Sequence, residues 1–155
     1  MSRSPHIFDF ELDFAGALYC IPMVVRRKLD LCGIKVSLKQ WNRFALEERE
    51  TLVAQGCETA EEVEAYTRRV ATLIETRTPD TPQFMAKDPG AEWNDTARVP
   101  QRLIEYAEGL EIHPPTLQQW VALSPLQRFA LFKLTRPGHT NDNFVPAMRE
   151  FGLIN

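Results

Sequence analysis

Residues 37–52, SLKQWNRFALEERETL, return 79 positions later as residues 116–131, TLQQWVALSPLQRFAL. Aligned without a gap, the two stretches share Leu38/Leu117, Gln40/Gln119, Trp41/Trp120, Arg49/Arg128 and Leu52/Leu131, with Ser37/Thr116 and Phe44/Leu123 similar. Five identities in sixteen positions, a tryptophan among them, stand against roughly one expected at average residue frequencies. Whatever one copy builds, the other is expected to build too. Ser37 and Thr116 can each cap a short helix by accepting from an amide that has no partner within the helix. Leu38, Trp41 and Phe44, like Leu117, Trp120 and Leu123, recur at i, i+3 and i+6, which predicts one apolar stripe in each copy. A second helix follows. In the C-terminal copy Ser124 is the cap, Pro125 takes the first helical position and Gln127 completes a capping box. The N-terminal copy has Ala45 and Glu48 at those cap and box positions, a weaker start.

The rest of the chain reads as helices separated by prolines and glycines. Phe8, Phe10 and Leu12 alternate with Asp9, Glu11 and Asp13, which predicts an extended segment without an obvious partner strand. From Asp13 as a cap, Phe14, Leu18, Ile21, Val25 and Cys32 keep helical spacing until Gly33. Pro22 interrupts them, so a short helix is expected to end near Cys20 and another to start at Pro22. Val99-Pro100 opens a related helix that closes at Gly109. Thr59 and Glu62 form a capping box for a long helix with Val63, Tyr66, Val70, Leu73 and Ile74 on its buried stripe.

Residues 78–98 carry Pro79, Pro82, Pro89 and Gly90 without periodicity, a long Pro-rich connection that Phe84, Met85 and Trp93 are expected to pin to the core. Leu126, Phe129, Ala130, Phe132 and Leu134 make the second-copy helix the most enclosed, and Pro137-Gly138 ends it. A final helix from Asn141 or Asn143 buries Phe144, Met148 and Phe151 and stops at Gly152. The fold class is all-α: a single domain spanning residues 1–155, built of two related halves at about 14–77 and 99–152.

A chain of 155 residues with 44% hydrophobic and 25% charged residues can bury an ordinary core. Its net charge of −3 argues against nucleic-acid binding by bulk charge. Charge is unevenly placed, however. Between positions 23 and 43 six basic residues (Arg26, Arg27, Lys28, Lys35, Lys39, Arg43) face one acid, Asp30; between 47 and 64 seven acids face Arg49 alone. Cys20, Cys32 and Cys57 are too few and too dispersed for a disulfide framework. Acidic Asp9, Glu11 and Asp13 stand where a secretory signal needs a basic start, and no run approaches 18 apolar residues. A cytoplasmic protein with no membrane span is expected.

The run Cys20-Ile21-Pro22-Met23-Val24-Val25-Arg26, with Lys28-Leu29-Asp30, Cys32-Gly33-Ile34-Lys35 and residues 38–41, resembles the signature of the nitrate reductase-associated protein family of cyanobacteria and proteobacteria. Asn143-Phe144, Pro146-Ala147 and Glu150-Phe151-Gly152-Leu153 fit the same resemblance, which covers essentially the whole chain. It implies a small protein encoded near assimilatory nitrate reductase and molybdenum-cofactor genes and involved in obtaining active reductase. It carries over no catalytic residues.

Among the residues themselves no catalytic constellation stands out, and no enzyme is expected. The cysteines read as small buried hydrophobes, and His6, His113 and His139 could join them in a metal site only by long-range folding. Trp41 and Trp120 read as core anchors rather than stacking platforms. No cofactor is expected. The basic face, Arg26, Arg27, Lys28, Lys35 and Lys39, is the candidate partner-binding site, with Arg27 and Lys28 expected off the buried stripe. The partner would be nitrate reductase or its maturation machinery, with no nucleic acid and no membrane. The first alternative is an anion or cofactor carrier that uses the same cations as a pocket. The second is a helix-turn-helix DNA binder, disfavoured because Glu47, Glu48 and Glu50 would repel phosphates.

Overall fold

Pro22 ends one piece of chain and starts the next, because its ring fits just ahead of a helix and not inside one. In the computed structural model, which describes residues 7–12, 18–136 and 142–155, Pro22 is extended and caps helix α1, Met23–Cys32. The chain divides into two compact units, Met1–Pro89 and Gly90–Asn155. The helix expected ahead of Pro22 has its start, Asp13 and Phe14, outside the described residues, and residues 18–20 are bends rather than a last helical turn.

In the first unit α1 stops at Gly33, whose backbone is left-handed (φ 72°) and whose amide donates to the Leu29 carbonyl at 2.8 Å. A Cβ at Gly33 would stand 2.6 Å from the Met85 carbonyl oxygen, so glycine is demanded twice, by the dihedral and by the close approach. That approach is a strand pairing. β1, Ile34–Lys35, runs antiparallel to β2, Gln83–Phe84, with Ile34 opposite Phe84 and Lys35 opposite Gln83. Two residues per strand leave no alternation in the sequence, so this small sheet within a mostly helical fold is not legible there.

Three more helices follow in this unit: α2, Leu38–Trp41; α3, Leu46–Ala54; and α4, Ala60–Arg77. The capping box of α4 forms as expected, Thr59 Oγ1 accepting from the Glu62 amide at 3.1 Å and Glu62 Oε1 from the Thr59 amide at 3.0 Å. Its buried residues Tyr66, Val70, Leu73 and Ile74 line the side packed on α1.

Residues 9–12 are not extended. Asp9–Glu11 form a 3₁₀ turn, with the rings of Phe8 and Phe10 stacked at 5.5 Å. The turn delivers a fully buried carboxylate: Glu11 Oε2 accepts from the Met23 amide at 3.1 Å and Oε1 from the Phe8 amide at 3.2 Å. The first amides of α1 need acceptors and favour negative charge, whereas a lone strand would leave its own backbone unpaired. That demand overrides the alternation.

The second unit contains α5, Gln101–Gly109; α6, Leu117–Ala122; α7, Pro125–Lys133; and α8, Phe144–Glu150. Helix α7 is packed by both α5 and α8 and buries Phe129, Ala130, Leu131 and Phe132, which makes it the enclosed element its composition predicts. Gly152 takes a left-handed φ of 74° after α8 as expected, but Gly109 lies inside the last turn of α5, and Glu111 (φ 60°) makes the left-handed step instead. The expected break at Pro137-Gly138 and the start at Asn141 lie outside the described residues.

Residues 78–98 are divided between the units rather than forming one connection: β2 belongs to the first, and Trp93 is buried edge-on to Phe129 (5.4 Å, 84°) in the second. Of the three apolar groups expected to pin this stretch only Trp93 is enclosed, whereas Phe84 is 62% exposed and Met85 36%. Among the described residues the fold is mostly helical, eight α-helices with one two-stranded sheet.

The two similar stretches have matching local geometry. Ser37 and Thr116 each accept from the amide three residues on at 3.1 Å, while Gln40 and Gln119 return the bond at 2.9 Å. Trp41 and Trp120 are both fully buried, and each indole N–H donates to a backbone carbonyl, Leu18 at 2.8 Å and Asp95 at 3.0 Å. Arg49 and Arg128 both tie the corner to the segment ahead of it. Arg49 Nη1 donates to the same Leu18 carbonyl at 2.8 Å, and Arg128 Nη2 to Asn94 Oδ1 at 3.0 Å. Leu38 and Leu117, expected on the buried stripe, are instead 50% and 46% exposed. A one- or two-turn helix can bury the single face that holds its tryptophan, and three residues back is already the opposite edge of that face. The second helices differ as predicted: Ser124 Oγ accepts from the Gln127 amide at 3.1 Å, whereas at Ala45 only the return bond exists, from its amide to Glu48 Oε1 at 2.7 Å.

Candidate functional site

Cations are useful to a partner only where water reaches them, so their burial sorts the basic run first. Arg26 is exposed on α1, though its Nε donates to the Ile21 carbonyl at 3.0 Å. Arg27 is half-buried. Lys35 on β1 and Lys39 on α2 are exposed, as is Arg43 in the turn that follows α2. Among the described residues no acid lies within ion-pair distance of Lys35, Lys39 or Arg43.

Lys28 is the exception that corrects the sequence reading. It points inward from α1, only 9% exposed, and its ammonium donates to the carbonyls of Val53 and Gln55 at 2.7 Å each while lying 5.7 Å from the Tyr66 ring centre. The carbonyls it serves are those that the end of α3 cannot satisfy itself, where a cation is also favoured by the helix dipole. Burial pulls its pKa below the ordinary 10.5. One turn of α1 therefore holds both an exposed cation, Arg26, and a buried one, and only the chain 25 residues on distinguishes them.

The acidic run has its own partners. Glu48 takes a bidentate pair of bonds from Arg77, Nε to Oε1 at 3.1 Å and Nη2 to Oε2 at 2.9 Å; Glu64 meets Arg68 at 3.4 Å; and Glu62 receives the amides of Glu58 and Thr59. None of these turns to Lys35, Lys39 or Arg43. The Arg77 bonds hold the Glu48 carboxyl below the ordinary 4.5. A carboxyl depressed in the folded state contributes stability above its unfolded pKa and loses it as pH falls through 4.5 and towards the folded value. With Arg77 half exposed, solvent screens the pair and its contribution is small. Glu48→Gln is therefore expected to shift the urea midpoint slightly at pH 7 and by less at pH 3, and an equal shift at both would assign the loss to packing.

Beside Lys39 and Arg43 the surface folds into a cleft of about 60 Å³ lined also by Gln40, Thr78, Pro79 and Asp80. Gln40 Nε2 donates to Asp80 Oδ2 at 3.0 Å across it. Arg43 was legible in the charge run; Thr78 and Asp80 come from the far end of α4, and nothing in the sequence points to them. Among the described residues no group of three or more His, Cys, Asp or Glu could hold a metal ion.

A family model for the conserved nitrate reductase-associated protein matches residues 7–151. The chain belongs to that family. The match takes in both units and both similar stretches, so membership rests on the whole chain and not on one half. No curated protein and no solved structure matches the chain. No helix among the described residues is long and apolar enough to cross a membrane.

Proposed function

We propose that the chain is a non-catalytic, cytoplasmic accessory protein of nitrate assimilation that holds nitrate reductase, or a partner delivering its cofactor, through a surface of exposed cations. Family membership supports the reductase as the setting. The observation that carries the surface is the group Lys35, Lys39 and Arg43, exposed on neighbouring pieces of the first unit with no acid of the described chain paired to them. Arg26 extends it along α1, while Arg27 contributes less and Lys28 not at all. Exposed, unpaired charge chiefly speeds and orients encounter with an acidic surface, the role an accessory protein needs. The two units are further proposed to descend from one duplicated helical unit. The matching caps, indole bonds and arginine bonds of the two similar stretches support that origin.

The cleft at Lys39 and Arg43 favours a second reading, a small anion or the phosphate of a cofactor held between the two cations. Asp80 in its wall counts against it.

The test is complementation. Lys35→Gln, Lys39→Gln and Arg43→Gln together should leave the thermal midpoint within about 2 °C, since exposed substitutions cost little. In cells lacking the wild-type chain, the triple variant should lower nitrate reductase activity about tenfold, the lower end of electrostatic steering effects. Wild-type activity with normal expression of the triple variant would remove this surface from the function.

A further inference from the structure

Two thiols far apart in the sequence meet under α1. Cys32, on the last turn of the helix, has its sulfur 3.6 Å from that of Cys57, in the short link between α3 and α4. Around them Cys32 Sγ reaches the Val63 carbonyl at 3.5 Å and Cys57 Sγ the Lys28 carbonyl at 3.9 Å, and all three cysteines of the chain are free. Bringing the sulfurs from 3.6 Å to a bond of about 2.05 Å needs a displacement of about 1.5 Å. That is within reach of side-chain rotation and a small shift of the link.

We propose that Cys32 and Cys57 are a redox-active dithiol, oxidised to an intramolecular disulfide by exchange with a low-molecular-weight disulfide. The surroundings divide the two roles. The thiol hydrogen bond from Cys57 pulls Cys32 down to about 7, while sharing that proton and burial push Cys57 up, so Cys32 supplies the thiolate. The Cys32 thiolate attacks one sulfur of R–S–S–R and expels RS⁻, which takes up a proton from water. Cys57, giving its proton to solvent, then attacks the Cys32 sulfur of the mixed disulfide and expels the second RS⁻, which is protonated in turn. The chain loses two electrons and two protons, and one R–S–S–R becomes two R–SH.

Both sulfurs are buried, 3% and 2% exposed for their residues, so entry requires the α3–α4 link to open. Lys28 governs that step: its two bonds to Val53 and Gln55 hold the front of the link, as Glu62 holds the back through the amides of Glu58 and Thr59. Short, exposed links of this kind open locally without global unfolding. The disulfide would tie the end of α1 to the start of α4.

The test equilibrates the full-length chain in glutathione buffers of increasing oxidised fraction, quenches with acid, and labels with N-ethylmaleimide in denaturant. Three adducts under reducing conditions should fall to one, on Cys20, with a mass loss of two hydrogens and a joined Cys32–Cys57 peptide. Cys20→Ser should fall from two adducts to none, and Cys57→Ser should form no intramolecular bond. Retention of maleimide on both Cys32 and Cys57 throughout the series, or a disulfide that includes Cys20, would overturn the proposal and leave the two sulfurs as packing groups.

Discussion

Trp120→Ala lowers the free energy of unfolding by about 3–5 kcal/mol, the range for deleting an enclosed aromatic side chain. The indole is fully buried, and its N–H satisfies the Asp95 carbonyl at 3.0 Å. Alanine there leaves a cavity beside the corner of α6 and α7 and strips that carbonyl of its donor. Phenylalanine at the same position restores much of the volume and none of the hydrogen bond, so Trp120→Phe is expected to lose clearly less than the alanine variant. Urea melts of both variants separate the two contributions. A loss below about 1 kcal/mol for Trp120→Ala would place the indole in water.

Lys28→Ala is the second large effect, about 2–3 kcal/mol. Its removal leaves the Val53 and Gln55 carbonyls without the ammonium that meets both at 2.7 Å, at about 1–3 kcal/mol for each buried group left unsatisfied. The relief of no longer burying a charge offsets part of this. Arg26→Ala, three residues from the same helix start and exposed, should stay within about 0.5 kcal/mol of wild type. Equal, small losses for both would mean that α1 presents Lys28 to solvent. The alkaline limb carries the same information. A lysine whose folded pKa lies below 10.5 makes stability rise with pH between the folded value and 10.5, where the unfolded chain alone holds the proton. Lys28→Met should remove that rise.

What the sequence disclosed was local chemistry. Pro22 cannot sit inside a helix, Ser37, Thr59, Thr116 and Ser124 cap because their hydroxyls reach an amide three residues on, and a tryptophan at the same place in two similar stretches marks a core anchor. Each of these is decided within a few residues, and each appears in the structure. The misses were decided by distant chain. Lys28 is buried because the end of α3 offers it two carbonyls; Glu11 folds back because Met23 needs an acceptor; Ile34 forms a strand because Phe84 arrives beside it. Cys32 and Cys57 looked dispersed for the same reason, their 25-residue separation hiding a 3.6 Å contact. The candidate surface was half legible: the charge run contained Lys35, Lys39 and Arg43, but only the folded chain shows which of its cations water reaches.

Direct binding of purified nitrate reductase, apo and mature, to the purified chain over a salt series is the measurement closest to the central claim. Saturable binding to at least one form is expected, weakening steadily with ionic strength as screening shortens the reach of exposed charges. The variant with Lys35→Gln, Lys39→Gln and Arg43→Gln is expected to bind about tenfold more weakly at an unchanged melting temperature. Binding of equal strength by wild type and variant, insensitive to salt, would contradict it.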